Sequence, residues 1–247
     1  MFIFLLAGYA YRKNRRSLAR RPNRCPRPVT AAELRGQAGE ASVDAELRRV
    51  LTALCGDNYH LHPGAILLRH APGTAFPTAE VDHLAITPFG LFVVETKNWT
   101  GVIDRGPAAD VLTRVAADGT RETRKSPDAQ NRTKVRYLRG VLPGMWPIEG
   151  LGVFASPQCV VASNLPLSVI HIGELAHWLR SKKSVFDASG QSPVNVRLAW
   201  EAVRAIAQTD TAAIAAHCKN LRENPSAIVS AINVLGNRCR FSRIRLQ

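Results

Sequence analysis

The sequence predicts an α/β layer fold that continues into a helical extension at its C-terminal end. Segments with helical and strand periodicity follow one another in the order α-β-β-β-α-β-β-α, and further helices follow. The unbroken apolar run Leu91–Val94 is typical of a strand that is covered on both faces. Hydrophobic residues make up 46% of the 247 residues, which is enough for a full core.

Apolar spacing and turn residues place the individual elements. Helices are predicted over an apolar stripe between 43 and 54, then at 126–142 and 173–182, and in segments that begin at 192, 210 and 225. Strands are predicted at 65–68, 80–87, 91–98, 158–162 and 167–172, with one short strand between 101 and 118. The strands 80–87 and 91–98 flank the turn Pro88-Phe89-Gly90 and should form an antiparallel hairpin.

The N-terminal 30 residues differ in character from the rest of the chain. Phe2–Tyr11 is apolar, but ten helical residues reach only about 15 Å, half the thickness of a bilayer core. Eight Arg or Lys residues and no acid follow between Arg12 and Arg27. Two interpretations stay open: an anchor near a membrane, with the arginines on the cytoplasmic side, or a tail without fixed structure.

The chain carries 33 basic and 19 acidic residues, a net charge of +14. Polyanions are the natural partners of such a surface, either nucleic acid or anionic lipid headgroups; the alternative is a basic tail that only aids solubility. The five cysteines are widely spread and include no C-x-x-C pair. This pattern predicts reduced thiols in a cytoplasmic protein and argues against a disulfide framework or a zinc ribbon.

Charged residues gather where the predicted hairpin opens. Glu95 and Lys97 are two residues apart, so both project from one face of their strand, and Asp82 lies on the preceding strand. Glu40 is placed by helical spacing on the inward face of the first helix, one turn before Val43. The alternative interpretation is a half-exposed hairpin with ordinary surface charges.

A divalent cation would reconcile the two strand carboxylates. At a separation of about 4 Å they would repel by roughly 4 kcal/mol at an effective dielectric of 20. Oxygen-only ligands suit Mg²⁺ or Mn²⁺, which can polarise a phosphate and lower the pKa of a bound water. An adjacent lysine can orient that water and offset the charge that develops on phosphorus. The pattern therefore indicates metal-assisted phosphodiester hydrolysis.

Three runs of sequence resemble the nuclease-related domain (NERD) family, which is assigned to the PD-(D/E)xK, restriction-endonuclease-like superfamily. They are GQAGE at 36–40, EVDHLAITPFGLFVVETKNWTG at 80–101 and SPDAQNRTKVRYLRGVL at 126–142. The resemblance covers about residues 31–150. It implies a restriction-endonuclease-like central mixed sheet flanked by helices and a metal-dependent nuclease (a hydrolase) that acts on DNA.

The resemblance also implies the site residues. Asp82 matches the metal-binding aspartate, and Glu95 and Lys97 match the E-x-K pair, so that Asp82 and Glu95 would bind Mg²⁺ or Mn²⁺. Glu40 matches the acid of the first helix. Gln130 matches the glutamine that follows the N/S-P-x-x element, with a role in contacting the substrate or the water on the metal.

The predicted organisation is an apolar and then Arg-rich segment at 1–30, a nuclease-like core at 31–185 and a helical extension at 186–247. Two alternatives to a DNA nuclease stay open. One is a nucleic-acid-binding module that keeps the fold without catalysis. The other is a membrane-associated protein whose residues 1–27 contact anionic lipid. RNA in place of DNA, strand preference and oligomeric state are not determined by the sequence.

Overall fold

The computed structural model describes residues 30–74 and 77–223 of the chain. The predicted N-terminal anchor, the Arg-rich segment, the helix from 225 and the basic residues near the C-terminus lie outside these residues. Five α-helices are described: α1 (Ala31–Cys55), α2 (Pro127–Val141), α3 (Leu175–Ser189), α4 (Val196–Ile206) and α5 (Thr211–Glu223). A 3-10 turn, Ile172–Glu174, precedes α3.

Twelve strands are described along the same residues. They are β1 (His60–Leu61), β2 (Ile66–Leu68), β3 (Ala79–Val81), β4 (His83–Thr87), β5 (Gly90–Lys97), β6 (Gly101–Arg105), β7 (Val111–Val115), β8 (Arg121–Lys125), β9 (Ile148–Phe154), β10 (Cys159–Val161), β11 (Val169–His171) and β12 (Ala207–Gln208). The α/β class, the mixed sheets flanked by helices and the C-terminal helical segment are confirmed.

The central sheet has five strands in the order β1-β4-β5-β9-β11. β4 and β5 form the predicted antiparallel hairpin, and β5 pairs in parallel with β9 over its length. A second sheet, β10-β6-β7-β8, and a third, β12-β2-β3, extend from it. β5 is thus an interior strand with helices on both faces, which explains why residues 91–96 are all buried.

The chain divides into two compact units between Leu34 and Arg35. In the first unit, Thr30 and Glu33 form a capping box: the Glu33 amide donates to the Thr30 hydroxyl, and the Thr30 amide donates to the Glu33 carboxylate. The second unit begins at Arg35, and all further observations concern that unit.

The second unit has one apolar cluster on each face of the central sheet. On one face, α1 and α3 pack their apolar side chains, such as Leu47 and Trp178, against Phe92 and Val94 of β5. On the other face, α2 packs against Leu91 and Val93. Alternation along β5 therefore sends residues 91, 93, 95 and 97 towards α2, since successive strand residues point to opposite faces.

The C-terminal helical segment contributes to the core. Val194, Ala199 and Val203 are buried in the cluster on the α2 face, and β12 pairs with β2. The proposed boundary at 185/186 stays a prediction, but residues 194–208 pack as part of the same core. None of the helices among the described residues is both long and apolar enough to cross a membrane.

Three features differ from the predicted elements. The strand predicted at 80–87 is interrupted at Asp82, so that β3 joins the three-stranded sheet and β4 the central sheet. Two strands, β6 and β7, lie between 101 and 118, where one was predicted, and β8 follows where none was predicted. β9 was not predicted at all, because Gly150 and Gly152 interrupt its apolar pattern.

Candidate active site

The C-terminal end of β5 carries two of the predicted site residues. Glu95 is buried, with 6% of its surface exposed, and Lys97 is half-buried. Both point towards α2, as the alternation along β5 requires. The Lys97 ammonium group donates a hydrogen bond to Glu95 Oε1 at 2.6 Å, so the E-x-K pair is also an ion pair.

Asp82 lies opposite this strand end, at the bend between β3 and β4. The register pairs His83 with Val94, and the next backbone amide of β5 after Glu95, that of Thr96, donates to Asp82 Oδ2 at 2.8 Å. Asp82 precedes Leu84 by two residues, and Leu84 packs on the α2 face. Residues two apart point to the same face of a sheet. Asp82 and Glu95 therefore converge on one face of the sheet.

His83 turns to the opposite face. It is buried, and its Nε2 lies 3.1 Å from the hydroxyl of Thr96. Burial lowers the pKa of His83 to about 4. A neutral, buried imidazole with a hydroxyl partner is consistent with a packing role.

Helix α2 supplies two further side chains, one turn apart. The Lys97 ammonium group also donates to Gln130 Oε1 at 3.2 Å, and the Gln130 amide donates to the carbonyl of Lys125 at 3.3 Å. Lys134 is buried, and its ammonium group donates to Glu95 Oε2 at 2.5 Å. Each oxygen of Glu95 is thus bound by a different lysine.

The two carboxylates have opposite electrostatic environments. Burial and the charge of Glu95 raise the pKa of Asp82 to about 7, against the weaker effects of Lys134 and Lys97. Burial alone would raise the pKa of Glu95 as well, but Lys134 and Lys97 outweigh it and lower that pKa below its usual value. Glu95 is therefore held ionised, whereas a cation near Asp82 would relieve an unfavourable charge.

Glu40 lies near this group but not as the sequence predicts. The residue is exposed, and its neighbour Gly39 occupies the inward position. A Cβ on Gly39 would stand 2.7 Å from the Cβ of Asn98, so the glycine permits close contact between α1 and the end of β5. Partial burial raises the pKa of the Glu40 carboxyl group, as do the charges of Glu80 and Glu95, whereas Lys97 lowers it.

The donor set fits one hard divalent cation. The donors are the carboxylates of Asp82 and Glu95; burial and the charge of Glu95 raise the pKa of Asp82, so a cation between them would stabilise the ionised form of Asp82. Asp82 Oδ1 accepts no hydrogen bond from any residue in the described part of the chain. No group of three or more His, Cys, Asp and Glu side chains among those residues could hold a metal. Mg²⁺ is commonly bound through one or two carboxylates, with waters and substrate phosphates completing its shell.

Lys134 and Glu80 were not predicted to be site residues. Lys134 follows Gln130 by one helical turn, so its position on the same flank of α2 could have been read from the spacing. Glu80 precedes Asp82 by two residues and lies on β3, beside the site rather than within its hydrogen-bond network. Its place could not be inferred, because the bend at Asp82 changes the direction of the strand.

The H-x-H pair near β1 has a packing role. The rings of His60 and His62 stack on Trp200 of α4, with centroid distances of 4.0 and 5.0 Å. Burial lowers the pKa of both imidazoles. No third metal ligand lies beside them among the described residues.

A mixed sheet with an acid at a strand break, an E-x-K pair on the next strand and a glutamine from the following helix defines the PD-(D/E)xK class of nuclease-like proteins. The chain carries a nuclease-related domain of that class, since residues 35–155 match the family model of that name. The match spans every site residue from Glu40 to Lys134 and ends just after β9. No curated protein and no solved structure gives a significant match.

Proposed function

We propose that this protein is a Mg²⁺-dependent nuclease, able to use Mn²⁺, that hydrolyses phosphodiester bonds of DNA. The observation that carries the proposal is the convergence of Asp82, Glu95 and Lys97 on one face of the central sheet, within a nuclease-related domain. Surface charges on an ordinary hairpin would not need a buried glutamate with two ammonium partners.

Each site residue has a role that follows from its contacts. Asp82 and Glu95 are the protein ligands for the metal, which would polarise the scissile phosphate and acidify its bound water. Lys97 orients the attacking water and offsets negative charge on phosphorus. Gln130 holds the Lys97 ammonium group in place through its 3.2 Å hydrogen bond. Glu40, at the edge of the site, supports the water shell of the metal.

A basic flank of α2 supports nucleic acid as the substrate. Arg132, Arg136 and Arg139 lie on the side of the helix away from Lys134 and line a cavity of about 420 Å³. Arg132 is paired with Asp110, and Arg139 donates to the carbonyl of Ile148. Such groups contact the phosphate backbone without reading the sequence. The Arg-rich segment 12–27 is expected to add to this binding.

The test is cleavage of plasmid and single-stranded DNA, with RNA in parallel, in Mg²⁺, Mn²⁺ or EDTA. Wild type should cleave DNA only with metal, and Lys97→Ala should lower the rate at least about 100-fold while DNA binding is kept, since transition-state stabilisation alone is lost. Arg136→Ala, on the far flank of α2, is the matched control: it should weaken binding and leave the rate at saturating DNA unchanged.

Other outcomes separate the alternatives. If the protein retards DNA without metal and does not cleave it, the nuclease proposal is wrong and the protein is a binding module of the same fold. Preferential cleavage of RNA would change the substrate but keep the mechanism. Sedimentation with anionic vesicles that depends on residues 1–27 would add membrane association to the proposed cytoplasmic location.

A further inference from the structure

The ammonium group of Lys134 occupies an unusual position for a lysine. The residue is 6% exposed, and α2 directs its side chain to Glu95 rather than to solvent. A buried ammonium group is unfavourable unless a charged partner compensates it. Here the partner is the carboxylate that the proposed mechanism assigns to the metal.

The contact involves one defined oxygen of Glu95. Lys134 lies 2.5 Å from Oε2, and Lys97 lies 2.6 Å from Oε1. Lys134 also acts on the second carboxylate, since its charge lowers the pKa of Asp82 more than that of Lys97 does. Lys134 therefore interacts with both of the groups that would bind a divalent cation, and a cation that binds Glu95 through Oε2 must share that oxygen with Lys134 or displace it.

We propose that Lys134 is a positioning residue that acts through Glu95: its ammonium group neutralises Glu95 and competes with the divalent cation for Oε2, and so sets the metal affinity of the site. This inference rests on the proposed function, because it needs Glu95 as a metal ligand. A purely structural ion pair would have no effect on metal affinity once the protein is folded.

The experiment is isothermal titration of Mg²⁺ and Mn²⁺ into the full-length protein and three variants. Lys134→Met removes the charge at similar length and should bind metal at least about tenfold more tightly, because a like charge beside the cation is gone. Lys134→Arg should restore an affinity close to that of wild type. Lys182→Met is the matched control, since Lys182 forms an ion pair with Glu149 away from Asp82 and Glu95 and should not change the affinity.

The results distinguish this inference from the proposed function. Metal binding by wild type with an equal or weaker affinity in Lys134→Met would overturn the role of Lys134 and leave the nuclease proposal intact. Absence of any Mg²⁺ or Mn²⁺ binding by wild type would overturn both.

A second measurement keeps the inference testable if Lys134→Met does not fold. In wild type labelled with [¹⁵N]lysine, the Nζ resonance of Lys134 can be assigned from its loss in Lys134→Arg. Addition of saturating Mg²⁺ should shift or broaden this resonance as the cation takes up its place at Oε2. A resonance that does not change would overturn the proposal.

Discussion

Glu95 and Asp82 lie close together, but their carboxylates differ in the number of partners that compensate their charge. Glu95 has an ammonium group on each oxygen, whereas Asp82 accepts a single backbone hydrogen bond, from Thr96, and has no ion pair within the described residues. Two neighbouring carboxylates in such different environments are driven to different pKa values. The same asymmetry predicts opposite effects on stability when each charge is removed.

Asp82→Asn should stabilise the protein in EDTA at pH 8. Burial raises the pKa of Asp82 from 3.8 to about 7, so the folded state favours the protonated acid. The penalty for ionisation is absent at low pH and is complete only above about pH 7. Asparagine keeps an acceptor for the Thr96 amide without the charge. The gain at pH 8 should be up to roughly 4 kcal/mol, since the shift is about three pKa units and each unit corresponds to about 1.4 kcal/mol. Urea denaturation at pH 8 and pH 5 checks it.

Glu95→Gln is the variant to compare with Asp82→Asn, since it removes the charge of the other carboxylate. It removes the partner of two lysines, one of them buried, and should cost about 3–5 kcal/mol in the same EDTA buffer, as loss of one member of a buried pair does. Equal destabilisation by Asp82→Asn and Glu95→Gln would contradict the assigned asymmetry.

The residues of the site were partly accessible from the sequence. Glu95 and Lys97 follow from strand periodicity, because side chains two apart share a face, and Asp82 follows from the hairpin that places the preceding strand beside theirs. Lys134 was missed because a lysine in a helix is usually exposed, although its spacing from Gln130 places both on the same flank of α2. The inward position of Glu40 was wrong, since the close contact at Asn98 requires a residue without a side chain there, and Gly39 provides it.

Glycines decide how closely the helices approach the central sheet. A Cβ on Gly150 would stand 2.9 Å from the Cβ of Asn131, and one on Gly152 would stand 2.4 Å from Pro127. Both glycines let α2 lie directly on β9, where the Asn131 amide donates to the carbonyls of Val93 and Leu151. The same glycines hid β9 from sequence patterns, which treat glycine as a strand breaker.

Gly39→Ala should displace α1 from the end of β5. The added methyl group would lie 2.7 Å from the Asn98 side chain, which itself donates to the carbonyl of Arg35. We expect a loss of about 1–3 kcal/mol from overpacking. Cleavage should fall as well, because Glu40 moves with the helix. Thermal denaturation and the plasmid assay measure the two effects.

Gly36→Ala provides the control on the same helix. No atom lies within 4 Å of a Cβ at this position, so the substitution should stabilise α1 by about 0.5–1 kcal/mol through helix propensity. If Gly39→Ala stabilised the protein as Gly36→Ala does, the contact with Asn98 would not prevent a side chain at residue 39.

The molecule as a whole uses residues beyond the nuclease-related domain to complete its core. The matched region ends at residue 155, yet Val194, Ala199 and Val203 are buried beside residues of β4 and β5. The sequence predicted helices here but not their docking, because an amphipathic stripe does not identify the surface that it covers.

Val203→Ala should therefore destabilise the entire second unit. Val203 is fully buried, and its truncation should cost roughly 1–3 kcal/mol in a single unfolding transition. Leu198→Ala on the same helix is the control, since Leu198 is 54% exposed and should change stability by less than about 0.5 kcal/mol. Urea denaturation followed by circular dichroism and tryptophan fluorescence tests both. A separate early transition limited to Val203→Ala would indicate an independent C-terminal domain.

Asp82 is the single residue between a strand of the three-stranded sheet and a strand of the central sheet. Its carboxylate cannot keep its position if those two sheets change their relative orientation. β12 forms one edge of the three-stranded sheet, where Ala207 pairs with Leu68 of β2. Sequence changes around β12 can therefore shift the carboxylate of Asp82 from a distance, and chains with identical site residues need not place that carboxylate in the same position.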